Sequence, residues 1–201
     1  MTIVRVIDFE TTGTEPPAEV CEVGICDVDI AEKRVGIPQG WLCGVDAMPP
    51  EVRAVHHISL AECDGKPKFE PIVMFDGDPS RFGAMAAHNA EFETEFFYSP
   101  VPVICTYKAA LRVWPDAPSH SNGALRYWLE DQGMIAPDHA TTQPAHRAAP
   151  DAYVTAHILL ALFNTGATGR EMIAWTKEPR LLPRCPLGKF RGQPWSEIGR
   201  A

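Results

Sequence analysis

The sequence predicts an α/β fold in which a mixed β-sheet is flanked by helices. Three observations support this class. Segments patterned as strands come early in the chain, the longest helical segment comes late, and the two kinds of element alternate in between. The chain has 201 residues, of which 45% are apolar and 22% charged, as is ordinary for one globular domain large enough to bury a core.

Five segments have the apolar patterning of strands. The first is the run TIVRVIDFE, which has the composition of a buried central strand and ends in acidic residues. The fourth is a short apolar run that carries His88 and Asn89 at its end. The predicted segments are residues 2–10, a second strand with its following turn within 19–35, and then 38–45, 82–89 and 101–106.

Five helical segments are predicted from residue spacing and capping residues. Ser59 is a plausible cap for a helical turn. Ser121 opens and Gly133 closes the best delimited segment, and Pro150 is tolerated in the first turn of the strongly apolar last helix. A loop rich in Pro, Thr and Ala is expected before that helix. The predicted helices lie within residues 49–63, 90–98, 108–114, 121–133 and 150–166.

The composition argues against several classes of protein. Arg5 and Asp8 interrupt the only early apolar run, so we expect no signal peptide. The apolar run at residues 158–163 is far too short for a membrane span. The six cysteines lack the close pairing of zinc fingers, and reduced thiols in a cytoplasmic protein are the better interpretation.

The charge of the chain is distributed unevenly. Residues 1–176 contain 12 Lys or Arg and 24 Asp or Glu, whereas residues 177–201 contain 6 and 2. We therefore divide the chain into an acidic body and a basic C-terminal tail. This pattern suits a protein whose carboxylates hold cations and whose edge contacts phosphates. A solvated surface segment explains the charge of the tail equally well.

Acidic residues stand at the ends of several predicted elements. Asp8 and Glu10 share one face of the first strand, where their charges repel unless a cation lies between them. Glu93 lies on a predicted helix, and His146 precedes Asp151 by five residues. Oxygen ligands without cysteine favour Mg²⁺ or Mn²⁺, and two such ions about 4 Å apart suit phosphodiester hydrolysis. A histidine suits the transfer of a proton from the attacking water at neutral pH.

Three motifs give the sequence a specific resemblance. In chain order DFETTG, HNAEFE and HRAAPD resemble the exonuclease motifs of the DEDDh 3′→5′ exonuclease superfamily. The segments AVHHIS, ICTYKAALRVWP and SNGALRYWL are similar to the exodeoxyribonuclease X group within it, as is FRGQPWSEI in the tail. The resemblance implies a ribonuclease H-like fold with a mixed five-stranded sheet, an exonuclease domain at residues 1–176 and the family tail at 177–201.

The resemblance also implies roles for individual residues. Asp8 would bridge two metal ions, while Glu10 and Asp151 would bind the ion that activates water. His146 would be the general base, on a loop that moves in with substrate. The residues that match positions next to the terminal nucleotide or its phosphates are Thr11, Thr12, Gly13, His56, His88 and Asn89.

The second motif departs from the family pattern. It normally ends in Asp, and here Glu93 adds a methylene that reaches about 1.5 Å further, against a metal–ligand tolerance of about 0.2 Å. We expect the site to accommodate the longer side chain if its carboxylate acts through a bound water. Glu91 and Glu95 are near in sequence but face away from position 93 on a helix.

The predicted function is hydrolysis of DNA from its 3′ end, single-stranded or duplex, with release of 5′-mononucleotides and dependence on two Mg²⁺ or Mn²⁺ ions. One alternative is an RNA-directed 3′→5′ exonuclease, since contacts with a 2′ hydroxyl decide that preference. The other is a catalytically silent nucleic-acid-binding relative, because Glu93 replaces the usual Asp.

Overall fold

The protein is built on a six-stranded mixed sheet. The structure, a computed structural model, describes residues 3–14 and 17–198, and of Ser196 only the backbone. The strands are β1 (Ile3–Thr11), β2 (Val20–Asp29), β3 (Arg34–Val35), β4 (Gln39–Leu42), β5 (Ala84–Ala87) and β6 (Val103–Cys105). Their order is β3-β2-β1-β5-β6, and β4 also pairs with β2.

The sheet has an antiparallel and a parallel half. β2 runs antiparallel to β1, β3 and β4, whereas β5 is parallel to both β1 and β6. The predicted mixed sheet is therefore confirmed, but the predicted number of five strands is one too few. The additional strand is β3, whose two residues are too few to show an alternating pattern.

Helices cover the sheet. Among the described residues they are α1 (Pro50–His56), α2 (Leu60–Cys63), α3 (Glu93–Phe96), α4 (Thr106–Val113), α5 (Asn122–Asp131), α6 (Ala148–Asn164) and α7 (Gly169–Thr176). Short 3-10 turns occur at Pro71–Phe75, Pro79–Arg81, Gly188–Phe190 and Trp195–Glu197. None of the helices in the described part of the chain has the length and apolarity needed to cross a bilayer.

The helix boundaries depart from the sequence expectations in three places. The segment at 49–63 is split at His57, whose left-handed backbone (φ 61°) ends α1, and Ser59 then caps α2 with Glu62 in a capping box. The segment at 90–98 forms a single helical turn, α3. α7 was not predicted, although Thr168 and the residue three further on form another capping box.

Two apolar cores lie on opposite faces of the sheet. Val4 and Val6 point to the face covered by α4 to α7, and Ile7 and Phe9 point to the other. Because strand side chains alternate, Asp8 continues the face of Val4 and Val6, toward α6. All six cysteines are buried free thiols in the structure, and the expected reduced state and cytoplasmic location stay predictions.

Candidate active site

Three carboxylates converge where β1 ends. Asp8 and Glu10 come from β1 and Asp151 from the first turn of α6. Each offers one oxygen, and these oxygens all lie within 4.8 Å of one another. Carboxylates from two segments that are far apart in sequence are thus brought together, in an arrangement that can hold a divalent cation.

A glycine on β2 permits this convergence. Gly24 lies directly opposite Asp8 in the β1–β2 pair. A Cβ atom at Gly24 would overlap the backbone of Ala148 and Ala149, at the start of α6. The absent side chain therefore lets the N-terminus of α6 lie against the sheet, and Asp151 in its first turn reaches Asp8.

The carboxylates are electrostatically unfavourable when no cation is bound. Burial raises the pKa of Asp8 well above its usual range, and the charges of Asp151, Glu93 and Glu10 raise it further. Burial, followed by the charges of Asp151 and Glu22, raises the pKa of Glu10 to about 8. The pKa of Asp151 is also raised by burial. Since positive charge would relieve this repulsion, the donor set fits divalent cations.

Glu93 is the acid of α3 that points inward. It is 2% exposed, burial raises its pKa to about 8, and its buried Oε2 has no hydrogen-bond partner among the described residues. It does not belong to the group of oxygens within 4.8 Å, although its charge acts on Asp8. Glu91 instead pairs with Lys108 (2.7 Å) and Arg180 (2.6 Å) at the surface. Glu93 is therefore a buried acid that influences Asp8 without being part of the three-carboxylate group.

Shortening the side chain at position 93 is expected to preserve or raise activity. Glu93→Asp restores the family residue and costs about 0.8 kcal/mol of stability for the lost buried methylene. Glu93→Gln, which keeps the size and removes the charge, is expected to lower kcat at least about tenfold. Steady-state rates of nucleotide release with Mn²⁺ measure both effects. A sharp loss in Glu93→Asp would contradict this expectation and show a site rebuilt around glutamate.

Without divalent cations, the free energy of unfolding is expected to fall as the pH rises from about 5 to 8. Glu10 and Glu93 keep their protons to about pH 8 when folded but lose them near 4.5 when unfolded, so the folded state binds more protons in this interval. A cation would replace those protons. At about 100 times its Kd, Mn²⁺ is expected to add about 2.7 kcal/mol.

Calorimetry of the same protein in EDTA and in Mn²⁺, at pH 6 and pH 8, measures this effect. The rise in Tm caused by Mn²⁺ is expected to be larger at pH 8, because fewer protons compete for the carboxylates. A Tm at pH 8 that does not respond to Mn²⁺ would contradict the assignment of a cation site.

His146 lies on the loop that leads into α6. Its side chain is exposed and its backbone is left-handed (φ 59°). Its backbone N–H donates to Oδ2 of Asp151 (3.0 Å), and its charge lowers the pKa of that carboxyl. The backbone of the predicted base therefore lies beside Asp151, and its side chain is open to solvent.

The sequence analysis did not identify an ion pair that anchors this loop. Arg147 donates to both carboxylate oxygens of Glu22, at 2.9 Å from Nε and 2.6 Å from Nη2. The backbone N–H of Ala148 donates to the same carboxylate (2.9 Å). Glu22 lies opposite Glu10 in the β1–β2 pair. Once β2 is paired with β1, an acid at position 22 opposite Glu10 could have suggested a basic partner. The Arg147–Glu22 ion pair fixes the loop next to His146.

The predicted nucleotide-binding residues divide into two groups. Thr11, Gly13 and His56 line a cleft of about 220 Å³ next to Glu10, and Thr12 accepts a hydrogen bond from the backbone of Glu19 (2.9 Å). His56 is 2% exposed, and its Nδ1 accepts from the N–H of Ile58. The complete lining of the cleft is Phe9, Glu10, Thr11, Gly13, Thr14, Val52, Val55, His56 and Phe92.

The second group follows β5. Because β5 is parallel to β1 with Ala86 opposite Val6, continuing that register places His88 level with Asp8. Nε2 of His88 donates to the carbonyl of His120 (2.8 Å), and burial lowers its pKa to about 4. Asn89, with a left-handed φ of 73°, accepts from Arg180 (3.0 Å). His88 is thus held by protein groups, and Asn89 lies at the surface edge.

Comparisons with known proteins agree with this geometry. The family model described as Exonuclease, of the RNase T type, matches residues 5–159. Exodeoxyribonuclease 10 of Escherichia coli (strain K12) is 32% identical over 98% of this chain and 85% of its own length. DNA polymerase III subunit epsilon of Treponema pallidum (strain Nichols) is 29% identical over 75% of this chain and 80% of its own.

A solved structure is similar as well. Exonuclease X, solved in complex with 5′ overhanging duplex DNA, matches with a TM-score of 0.71 and 30% identity. The match covers 86% of this chain and 99% of that one. The ribonuclease H-like fold expected from the sequence motifs is thereby confirmed.

Proposed function

Because the chain belongs to the exonuclease family of the RNase T type, we propose that it is a 3′→5′ exodeoxyribonuclease that releases 5′-mononucleotides. The observation that carries this proposal is the convergence of Asp8, Glu10 and Asp151 within 4.8 Å, beside His146. The family does its chemistry with divalent metals, and this chain has the buried acidic cluster that such ions require. DNA as substrate is supported by the names of Exodeoxyribonuclease 10 and of the DNA-bound Exonuclease X.

We propose that the cofactor is a pair of Mg²⁺ or Mn²⁺ ions. Asp8, Glu10 and Asp151 would hold the ions directly, and Glu93 would hold a coordinated water. When bound, the ions stabilise negative charge on the phosphodiester and make a water molecule more acidic. Ions at this position would also offset the burial and the neighbouring carboxylate charges that raise the pKa of Asp8.

The residues around the carboxylates would transfer the proton, position the loop and bind the terminal nucleotide. An imidazole nitrogen of His146 would take the proton of the attacking water, and its backbone bond to Asp151 keeps the loop near the reacting phosphate. The Arg147–Glu22 ion pair fixes the C-terminal end of that loop. Thr11 and Gly13, in the cleft beside Glu10, would contact the terminal nucleotide. Orientation by these fixed groups lowers the entropy cost of reaching the transition state.

Incubation of 3′-labelled single-stranded DNA with the protein and Mn²⁺ tests the proposal. The expected result is release of labelled mononucleotide, which EDTA abolishes. The same oligonucleotide as RNA, and the same DNA in duplex form, serve as parallel substrates. Faster release from RNA would favour the RNA-directed alternative. Binding without release from any substrate would favour the catalytically silent alternative.

A further inference from the structure

The C-terminal tail folds into a small hairpin, residues 182–198, which we call the basic hairpin. Arg184 and Pro194 form an antiparallel bridge. The backbone N–H of Cys185 donates to Gln193 (2.9 Å), and that of Gly192 donates to Cys185 (2.8 Å). The indole N–H of Trp195 donates to the carbonyl of Leu182 (2.7 Å), which closes the hairpin onto its own start. These bonds give the hairpin a defined surface.

The chain that leads to the hairpin is fixed to the body beside the candidate active site. The ammonium group of Lys108 donates to the carbonyls of Thr176 and Glu178, at 2.8 Å each. Arg180 donates to Asn89 (3.0 Å) and to the carboxylate of Glu91 (2.6 Å), both in the second motif. The hairpin begins only two residues after Arg180, a reach of at most about 7 Å. It therefore starts beside the second motif.

The basic hairpin exposes both cations and aromatic rings. Arg184, Lys189 and Arg191 are exposed, and no carboxylate of the described residues lies within 4.0 Å of their charged groups. Phe190 is 36% exposed and Trp195 is 50% exposed. Although the body has twice as many acidic as basic residues, none of its carboxylates in the described ranges forms an ion pair with these three cations. Such a combination of cations and rings binds single-stranded nucleic acid without base preference.

We infer that the basic hairpin binds the DNA strand that leads into the active site, on the 5′ side of the scissile bond. Lys189 and Arg191, with Arg184, contact phosphates, and the ring of Phe190 stacks on a base. The inference rests on the proposed function for the identity of the ligand. The excess of basic residues in the tail suits contact with phosphates better than the body does, because the body has twice as many acidic as basic residues.

Fluorescence anisotropy with a 5′-labelled 12-nucleotide poly-dT in EDTA tests the inference on the full chain. Lys189→Ala/Arg191→Ala is expected to raise Kd about tenfold at low salt. It is also expected to reduce the slope of log K against log salt by about 1.4, because each phosphate contact to a single strand contributes about 0.7. The matched control is Arg34→Ala/Arg170→Ala, which removes two exposed cations of the body. Its Kd is expected to stay within twofold.

The ring is tested with Phe190→Leu, which keeps an apolar side chain, removes the contact of the Lys189 ammonium group with the ring (4.8 Å) and leaves the hydrogen bond of Trp195 in place. A Kd about fivefold higher or more is expected, from a stacking energy of at least about 1 kcal/mol. A dinucleotide, too short to span the site and the hairpin, is expected to show less than a twofold effect in either variant.

Equal Kd values and equal salt slopes in the hairpin variant, its control and the parent would overturn the inference and leave the surface for a protein partner. Failure of the proposed function is a different result. In that case the parent releases no nucleotide from any substrate, whether or not the salt slope depends on Lys189 and Arg191.

Discussion

Asp8→Asn is expected to abolish nucleotide release while raising the thermal stability of the metal-free protein. Asp8 is the carboxylate on which the charges of Asp151, Glu93 and Glu10 all act, and its substitution is expected to weaken the binding of the proposed ions. Loss of several kcal/mol of charge stabilisation corresponds to a fall in kcat of about 1,000-fold or more. The amide also removes one repelling charge from a buried site. We expect the unfolding free energy at pH 8 in EDTA to rise by about 1 kcal/mol.

The order of stabilities is expected to reverse when Mn²⁺ is added, because the parent binds the ion and the variant binds it poorly. Calorimetry in EDTA and in Mn²⁺ therefore separates a lost ligand from a damaged fold. Asp64→Asn, which changes an exposed carboxylate at the end of α2, is the matched control and should leave rate and Tm unchanged. Equal turnover by Asp8→Asn and the parent would overturn the metal assignment.

His146→Asn is expected to lower kcat by about 10²- to 10⁴-fold, the usual contribution of a general base. Asparagine tolerates the left-handed backbone found at this position, so the variant removes the imidazole without straining the loop. In the parent the rate should fall as the pH drops, because a protonated imidazole cannot accept a proton. At Mn²⁺ concentrations that saturate both proteins at every pH, so that protons do not compete for the carboxylates, that acidic limb of the pH–rate profile should disappear in the variant.

Two measurements make the test of His146 specific. Mn²⁺ should still raise the Tm of the variant, because Asp8, Glu10 and Asp151 are intact. His57→Asn, a change of an exposed histidine with a similar left-handed backbone, should keep both the rate and the acidic limb. An unchanged acidic limb in His146→Asn would assign the proton transfer to another group.

The parts of the site that were predictable from sequence depend on local patterns. Strand alternation predicted that Asp8 and Glu10 share a face, and their oxygens do lie together. The predicted start of the helix at 150–166 placed Asp151 at the end of an element, and Asp151 does lie in the first turn of α6. Helical spacing predicted that Glu91 faces away from Glu93; Glu91 is exposed and Glu93 is buried, but Glu91 lies in the turn before α3, so the helical reason for this prediction was wrong.

What was missed depends on contacts between distant segments. The ion pair of Glu22 and Arg147 joins residues 125 positions apart, and no local pattern marks it. The bond between Arg180 and Asn89 spans 91 positions. The edge strand β3 and the break at His57 were missed for a different reason, since a two-residue strand and one left-handed residue are too short to alter periodicity.

The spacing of the carboxylates has its origin in a residue without a functional group. Because Gly24 has no side chain, the start of α6 packs directly against β2. The distance between α6 and the sheet then sets how far Asp151 lies from Asp8 and Glu10. A methyl group at Gly24 would push the start of α6 away from the sheet. Activity would then be lost although all three carboxylate residues are still present. Conversely, small changes in side-chain volume between β2 and the start of α6 offer a way to change the radius of the ion that the site accepts.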